Sequence, residues 1–160
     1  MRASSDPLRA QLARILDWQE AHVNFDDAIT GIPAAKRGAR AAGFEHSPWE
    51  LLEHMRIAQK DILDFCVNRK YVHDLKGPDD YWPASPAPAS AKAWNASVAA
   101  FKADRDKWKK LVGTTKHLFA TVPTGKDNHT YIRGILLLAD HNSYHLGQLI
   151  AVRRALGIWK

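Results

Sequence analysis

The segment D-H-N-S-Y-H-L-G-Q, from Asp140 to Gln148, is the part of this sequence that decides the fold. It places His141 and His145 four residues apart within a long apolar run. On an α-helix this spacing puts both imidazoles on one face, within reach of a single metal ion. Burying a polar group that has no partner costs free energy, so each of two histidines in such a run needs a partner. A shared metal ion is one candidate partner, and a hydrogen bond from each ring to a core neighbour is the alternative.

Apolar residues recur at helical spacing along the rest of the chain and predict four long helices with little strand. Asp6 and Ser47 are the predicted N-caps of the first two helices, and a proline follows each of them at the first helical position. Gly157 is the predicted C-cap of the last helix. The predicted helices run from Pro7 through Trp18 to just before Gly31, from Pro48 through Phe65, from about Ser90 to about Gly113, and from about Asn128 to Leu156.

A proline-rich stretch, Y-V-H-D-L-K-G-P-D-D-Y-W-P-A-S-P-A-P-A, joins the second and third predicted helices. About twenty extended residues could reach some 60 Å, whereas a twenty-residue helix spans only about 30 Å. This connection is therefore long enough to run back along the bundle and start the third helix parallel to the second. The prediction is an all-α fold, a four-helix bundle with one long crossover, formed as a single domain over residues 1–160. The alternative is a disordered linker between two helical hairpins, which the aromatic anchors Tyr71, Tyr81 and Trp82 disfavour.

Of the other histidines, His54 is the best placed to join the pair on the last helix. It lies beside Met55 and four residues before Ala58, on or at the edge of the core-facing stripe of the second helix. If the second and fourth helices are neighbours, the three imidazoles can converge. Three imidazole nitrogens suit zinc, nickel, cobalt or ferrous iron, and they leave a coordination position for water or substrate. The alternative is that His54 hydrogen-bonds to a backbone carbonyl or caps a helix.

Two stretches of the sequence, H-S-P-W-E-L-L-E-H-M-R-I-A-Q-K-D-I-L and A-D-H-N-S-Y-H-L-G-Q-L-I-A-V-R-R-A-L-G-I-W, resemble the DinB-like superfamily of bacterial metal-binding four-helix bundles. The resemblance also includes the Y-W-P of the crossover. It implies a divalent metal ion, nickel or zinc, held by a histidine triad that falls on His54, His141 and His145. Some members are metal-dependent transferases or isomerases that act with thiols such as bacillithiol, mycothiol or glutathione. The resemblance also suggests a homodimer, for which Trp108 and Trp159 are candidate contacts, with a place in the core as the alternative for each.

Several polar residues near these histidines have both a functional and an ordinary interpretation. Asn142, Tyr144 and Gln148 could orient an imidazole through its free N–H, or simply pack between helices. Asp61 could orient a ligand or act as a base, or be a solvent-exposed carboxylate. His46 and His129 fall at helix starts, where capping and solvation explain them, and a role as fourth metal ligand is the less favoured alternative. Three arginines could hold the carboxylates of a thiol, with an ordinary surface charge as the preferred alternative: Arg56, Arg133 and Arg153.

The composition limits which binding partners and which cellular location we expect for this protein. The net charge of +6 raises nucleic acid as a partner, but the basic residues are scattered, and no nucleic-acid-binding motif is present. No run of about 18 apolar residues could span a bilayer. A single cysteine, Cys66, fits a reducing cytoplasm and reads as a core residue. We therefore expect a cytoplasmic protein with a small-molecule substrate and neither nucleic acid nor membrane as partner.

Two functional classes are consistent with these observations. The first is an enzyme, a metal-dependent thiol S-transferase, isomerase or hydrolase. The second is a metal-binding or stress-associated protein without turnover. The lining of the site separates them, since an open cleft with a base and an anion-binding arginine is typical of an enzyme, whereas a closed apolar lid favours the second class.

Overall fold

The computed structural model describes residues 6–17 and 21–159, and within these ranges the regular structure is helical. The prediction of an all-α fold is confirmed. No helix in these ranges is long and apolar enough to cross a membrane. The described part of the chain contains five α-helices, which are α1 (Pro7–Ile15), α2 (Phe25–Ile29), α3 (Pro48–Val67), α4 (Ala91–Thr114) and α5 (Tyr131–Ala155), with short 3₁₀ turns at Ala34–Lys36 and Asp79–Tyr81.

The helix starts follow the capping residues that the sequence offers. Ser47 forms a capping box with Glu50: its hydroxyl accepts the Glu50 N–H at 3.2 Å, and the Glu50 carboxylate accepts the Ser47 N–H at 2.7 Å. Ser90 caps α4 and Thr130 caps α5 in the same manner, each through its side-chain oxygen. Beyond the end of α5, Gly157 adopts φ of +68°, a left-handed conformation that glycine tolerates best.

The prediction of one continuous first helix is wrong. Helix α1 ends at Ile15, and α2 begins only at Phe25. Asn24 starts this second helix with an extended backbone, and its side chain accepts the Asp27 N–H at 2.8 Å. Asparagine competes for backbone hydrogen bonds in this way, which apolar spacing alone does not reveal. Trp18, which the sequence assigned to the first helix, lies outside the described residues.

Helices α3 and α4 run parallel, as the long crossover predicts. Near their starts, the rings of Trp49 and Trp94 lie 6.3 Å apart. Farther along both helices, the Gln59 side-chain amide donates to the carbonyl of Phe101 at 2.7 Å, and the Trp108 indole N–H donates to the carbonyl of Gln59 at 3.5 Å. The contacts therefore advance along both helices in the same direction.

The crossover closes this arrangement by returning to the start of α3. The Ser47 hydroxyl donates to the carbonyl of Pro86 at 2.5 Å. A Cβ added at Gly38 would lie 2.3 Å from the Cβ of Ala87, so glycine is required where the two segments meet. The proline-rich segment is thus packed against the bundle, which contradicts the disordered-linker alternative.

Helix α5 runs antiparallel to α3 and packs closely against it. Gly134, near the start of α5, faces Cys66 at the end of α3, and an added Cβ there would lie 2.7 Å from the cysteine sulfur. His145, late in α5, meets His54 near the start of α3. Helices α3 and α5, which correspond to the second and fourth predicted helices, are therefore neighbours. This is the condition for the histidines to converge.

Trp108 and Cys66 belong to the core at this end of the bundle. Trp108 is fully buried, which supports its interpretation as a core residue rather than as a dimer contact. Trp159 instead packs against the Arg153 guanidinium, 4.6 Å from its ring centre. Cys66 is a buried core residue as expected, and burial raises the pKa of its thiol to about 12.

Candidate metal centre

Three imidazoles converge where α3 faces α5. The Nε2 atom of His54 lies 3.0 Å from Nε2 of His141 and 3.0 Å from Nε2 of His145. The candidate ligand atoms of the triad all lie within 4.8 Å of one another. The structure therefore brings together all three histidines that the sequence selected.

The outer nitrogen of His54 shows which tautomer this ring adopts. Its Nδ1 atom lies 3.0 Å from the backbone carbonyl oxygen of Tyr81. Because a carbonyl can only accept, Nδ1 carries the proton, and Nε2 of the neutral ring keeps a lone pair. The lone pair of His54 therefore points toward the other two rings.

The two histidines of α5 have partners of the same kind at Nδ1. His145 Nδ1 lies 2.8 Å from the side-chain oxygen of Gln148, and His141 Nδ1 lies 3.3 Å from the side-chain oxygen of Asn142. With each Nδ1 donating outward, three Nε2 lone pairs face a common point. Three neutral acceptors in such proximity cannot satisfy one another, whereas a cation among them satisfies all three.

Burial keeps these rings in the form that binds metals. It lowers the pKa of His54 and of His141 below the ordinary histidine value, and it lowers the pKa of His145 to about 4. His145 is buried, and the other two are partly buried. All three imidazoles are therefore neutral at pH 7, and neutral imidazole is the form that coordinates a metal ion.

The crossover covers one face of the triad through an aromatic stack. The Trp82 ring lies parallel to the His54 ring, and the two ring centres are 3.9 Å apart. The His46 ring also stacks on the Trp82 ring, with the ring centres 3.7 Å apart. His46 therefore has a specific place beside the site, which capping and solvation at a helix start did not predict. His129 is not part of the triad, and its ring contacts Phe65.

Asp61 is linked to the site through the crossover rather than through a histidine. Its carboxylate accepts the hydroxyl of Tyr71 at 2.7 Å and the hydroxyl of Tyr81 at 2.6 Å. Its side chain is only 16% exposed, so the interpretation as a solvent-exposed carboxylate is wrong. Asp61 holds the same tyrosine whose carbonyl orients His54.

Gln59 is a residue of the site region that sequence reasoning missed. Its side-chain oxygen accepts from the Asn142 amide at 3.1 Å, while its own amide donates to Phe101. Gln59 is almost fully buried. The signal in the sequence was a glutamine four residues after Met55 and seven before Cys66, on the core-facing stripe of the helix.

A cavity of about 660 Å³ lies beside the triad. His145 and Trp82 form part of its wall, together with His46, Tyr144 and Gly147. A second cavity, of about 560 Å³, is lined by Asp61, Tyr71, Tyr81 and Arg133 among others. The histidine triad is thus bordered by a space large enough for a small molecule.

The three candidate anion-binding arginines do not line the cavity beside the triad. Arg56 forms two hydrogen bonds with the Glu53 carboxylate, at 2.7 and 2.8 Å. Arg153 is buried, and it donates to the carbonyl of Ala28 at 2.5 Å. Arg133 lines the second cavity. Arg56 is thus held in a partly buried ion pair, and Arg153 is a structural residue rather than a surface charge.

A helical bundle in which two antiparallel neighbours present three imidazoles to one point defines a histidine-triad bundle, a class of protein that can hold a metal ion. The family model of the DinB superfamily matches residues 17–149, and the chain belongs to that superfamily. The resemblance found in the sequence motifs is confirmed. Searches of curated proteins and of solved structures returned no match.

Proposed function

We propose that this chain is a divalent-metal-dependent enzyme in which His54, His141 and His145 hold the ion and a small thiol is the substrate. The observation that carries the proposal is the direction of the lone pairs. Three Nε2 atoms face one point while every Nδ1 is hydrogen-bonded elsewhere. Membership of a superfamily of metal-binding bundles supports it.

The residues present fit a transition-metal ion. Two imidazole nitrogens on one such ion are about 3.0–3.4 Å apart, given metal–nitrogen distances of 2.0–2.1 Å. The Nε2 atom of His54 lies 3.0 Å from the Nε2 atom of each of the other two histidines, which agrees with that range. An all-imidazole set suits zinc and nickel, and three protein ligands leave a position open to a substrate.

The bound ion would supply one piece of chemistry, which is to lower the pKa of a thiol so that it is present as the nucleophilic thiolate at neutral pH. The chain's own residues do the positioning. Tyr81, Gln148 and Asn142 hold the imidazoles through Nδ1. Trp82 covers one face of His54 and keeps water from it. This arrangement supports an S-transferase or isomerase type of reaction.

The shape of the site favours turnover over a purely structural role. A closed apolar lid would indicate a non-catalytic metal-binding protein, whereas a cavity of about 660 Å³ borders His145. His46 lines the same cavity and is a candidate base. An anion-binding arginine was also expected of an enzyme, but none is among the lining residues that the structure describes. This concerns which thiols the cavity accepts rather than whether the site is catalytic.

Metal analysis of the protein purified without a histidine tag tests the proposal, followed by a thiol-transfer screen on the metal-loaded form. We expect about one divalent ion per chain and activity that is lost in the apo form. His54→Ala should lose both metal and activity, and His117→Ala, a change of an exposed histidine, should lose neither. Full activity in the apo protein would refute the metal-dependent mechanism.

Two further properties stay predictions. A homodimer is supported by apolar side chains exposed on α5, since Leu136 is 46% and Leu137 41% exposed. Sedimentation of the purified protein tests this.

A cytoplasmic location is supported by the single, buried thiol of Cys66, and fractionation of expressing cells tests it.

A further inference from the structure

The cavity beside the triad has a composition that selects among thiols. We propose that it binds thiols whose body is aromatic or otherwise apolar and is neutral or positively charged, and that it disfavours thiols that carry carboxylates. This inference rests on the proposed function, because the thiol reaches the cavity as a ligand of the metal site. It names the substrate class that the proposed function leaves open.

The walls of the cavity are mainly apolar and aromatic. Phe44, Leu51, Trp82 and Val152 are among the lining residues, and Tyr144 adds a further ring at the mouth, where it is 64% exposed. Apolar and aromatic walls of this kind favour the burial of a hydrophobic ligand body. A polar thiol with several charged groups would lose hydration there without gaining partners.

The charged side chains that line the cavity have one sign. Among its described lining residues, Glu45 is the one acid, and no lysine or arginine is present. Two basic residues near the lining in sequence are held elsewhere: Arg40 donates two hydrogen bonds to Glu50, and Arg153, next to Val152, donates to the backbone carbonyls of Ala28 and Ile158. The bound thiolate neutralises part of the charge of the metal ion. Among the lining side chains, a carboxylate on the ligand therefore meets the like charge of Glu45 and no basic group, whereas an ammonium group would be attracted to Glu45.

Gly147 gives the ligand room beside the metal ligands. It lies in the interior of α5, where glycine is less stable than alanine. Its φ is not positive, and an added Cβ would meet no atom within 4 Å, so neither backbone strain nor close packing requires glycine there. Gly134 on the same helix differs, because an added Cβ would lie 2.7 Å from Cys66. The space at Gly147 opens into the cavity, two residues after His145.

Three thiols with the same reactive group test the charge preference. They are benzyl mercaptan, its para-carboxylate analogue and its para-aminomethyl analogue. Each is titrated into cobalt-loaded protein, and the thiolate-to-cobalt absorption gives its Kd. The para position keeps the second group from chelating the ion. We expect the carboxylate analogue to bind about two- to fivefold more weakly than the other two, because Glu45 is exposed and water screens much of its charge.

Two variants separate the charge from the shape of the cavity. Glu45→Gln should remove most of the difference between the carboxylate and aminomethyl thiols while leaving the Kd of benzyl mercaptan unchanged. Gly147→Leu should weaken all three benzyl thiols at least tenfold, yet leave cobalt content and the binding of 2-mercaptoethanol unchanged. Gly147→Ala is the matched control, with little effect expected on either.

The outcomes distinguish the inference from the function on which it rests. If the wild-type protein takes up cobalt but binds the carboxylate thiol as tightly as benzyl mercaptan, the substrate class is wrong and the metal site stands. If Gly147→Leu keeps full affinity for the benzyl thiols, the thiol body does not occupy this cavity. If the wild-type protein takes up no cobalt, both the proposed function and the substrate class fail.

Discussion

Tyr81 orients His54 through its backbone carbonyl, which accepts from the imidazole Nδ1 at 3.0 Å. The two residues are 27 positions apart and belong to different elements, the long crossover and α3. This contact assigns the proton of the ring to Nδ1 and turns the Nε2 lone pair toward α5. The crossover is therefore a part of the site as well as a connection between helices.

Removing one ligand should empty the site. His141→Ala leaves two imidazoles, which cannot hold a labile divalent ion against buffer, so we expect metal content to fall from about one ion per chain to near zero. Elemental analysis after dialysis measures this. His117→Ala, at an exposed histidine away from the triad, should keep its metal. Full metal content in His141→Ala would show that the ion is not held by the triad.

Asp61→Asn should weaken metal binding without removing a ligand. The asparagine side chain has one acceptor oxygen where the carboxylate has two, so it can accept fully from only one of the two tyrosine hydroxyls. Tyr81 is then held less firmly, and so is His54. We expect the metal Kd to rise about tenfold, the lower end of what partners behind the ligands contribute. Competition with a chelator gives the Kd. Asp64→Asn, which removes a partly exposed pair with Lys60, is the control, and equal Kd values in the two variants would contradict this role.

Gly134→Ala should destabilise the fold because its Cβ would lie 2.7 Å from the Cys66 sulfur. Overpacking of this kind typically costs about 1–3 kcal/mol in the free energy of unfolding. Gly147→Ala, on the same helix but with open space around the new Cβ, should raise stability by up to about 1 kcal/mol. Urea denaturation compares the two. Adding Cys66→Ala to Gly134→Ala should restore part of the loss, and a full loss in the double variant would argue against the contact.

Glu50→Gln should lower stability at neutral pH and matter less in acid. Burial raises the pKa of Glu50, but hydrogen bonds from Arg40 and Ser47 outweigh it, so the net shift is downward. A carboxyl with a lowered pKa in the folded state stabilises the protein above its unfolded pKa of about 4.3, and this stabilisation is lost as the pH falls through the folded pKa. Glutamine can still complete the capping box through its one side-chain oxygen, but it removes the charge and one of the two oxygens that accept from Arg40.

We expect Glu50→Gln to reduce the free energy of unfolding by about 1–2 kcal/mol at pH 7, as for a hydrogen bond to a charged group. The deficit should shrink toward zero near pH 3. Urea denaturation at both pH values provides the comparison, with Asp106→Asn as an exposed control. A deficit that is the same at pH 7 and pH 3 would mean that the Glu50 charge does not contribute.

Local chemistry was sufficient to predict most of the fold. The capping box at Ser47 and the glycine at position 157 are settled by residues within one helical turn, so they could be read directly. The break before α2 could not be predicted in this way, because the apolar pattern continues across it and the only competing signal is the side chain of Asn24. The histidine triad was accessible because its i, i+4 pair is local and His54 lies on a recognisable helix face.

The sequence by itself determined which side chains share a helix face, since the 3.6-residue repeat is set by backbone geometry alone. It thereby determined the His141–His145 pair and the buried position of Cys66. Only the tertiary structure decided what stands around that pair. The contacts of His54 with Tyr81 and Trp82, the link from Tyr81 to Asp61, and a cavity with Glu45 but no arginine join residues from separate elements. Such contacts depend on how a flexible connection packs back onto the bundle, and no spacing within one segment encodes that path.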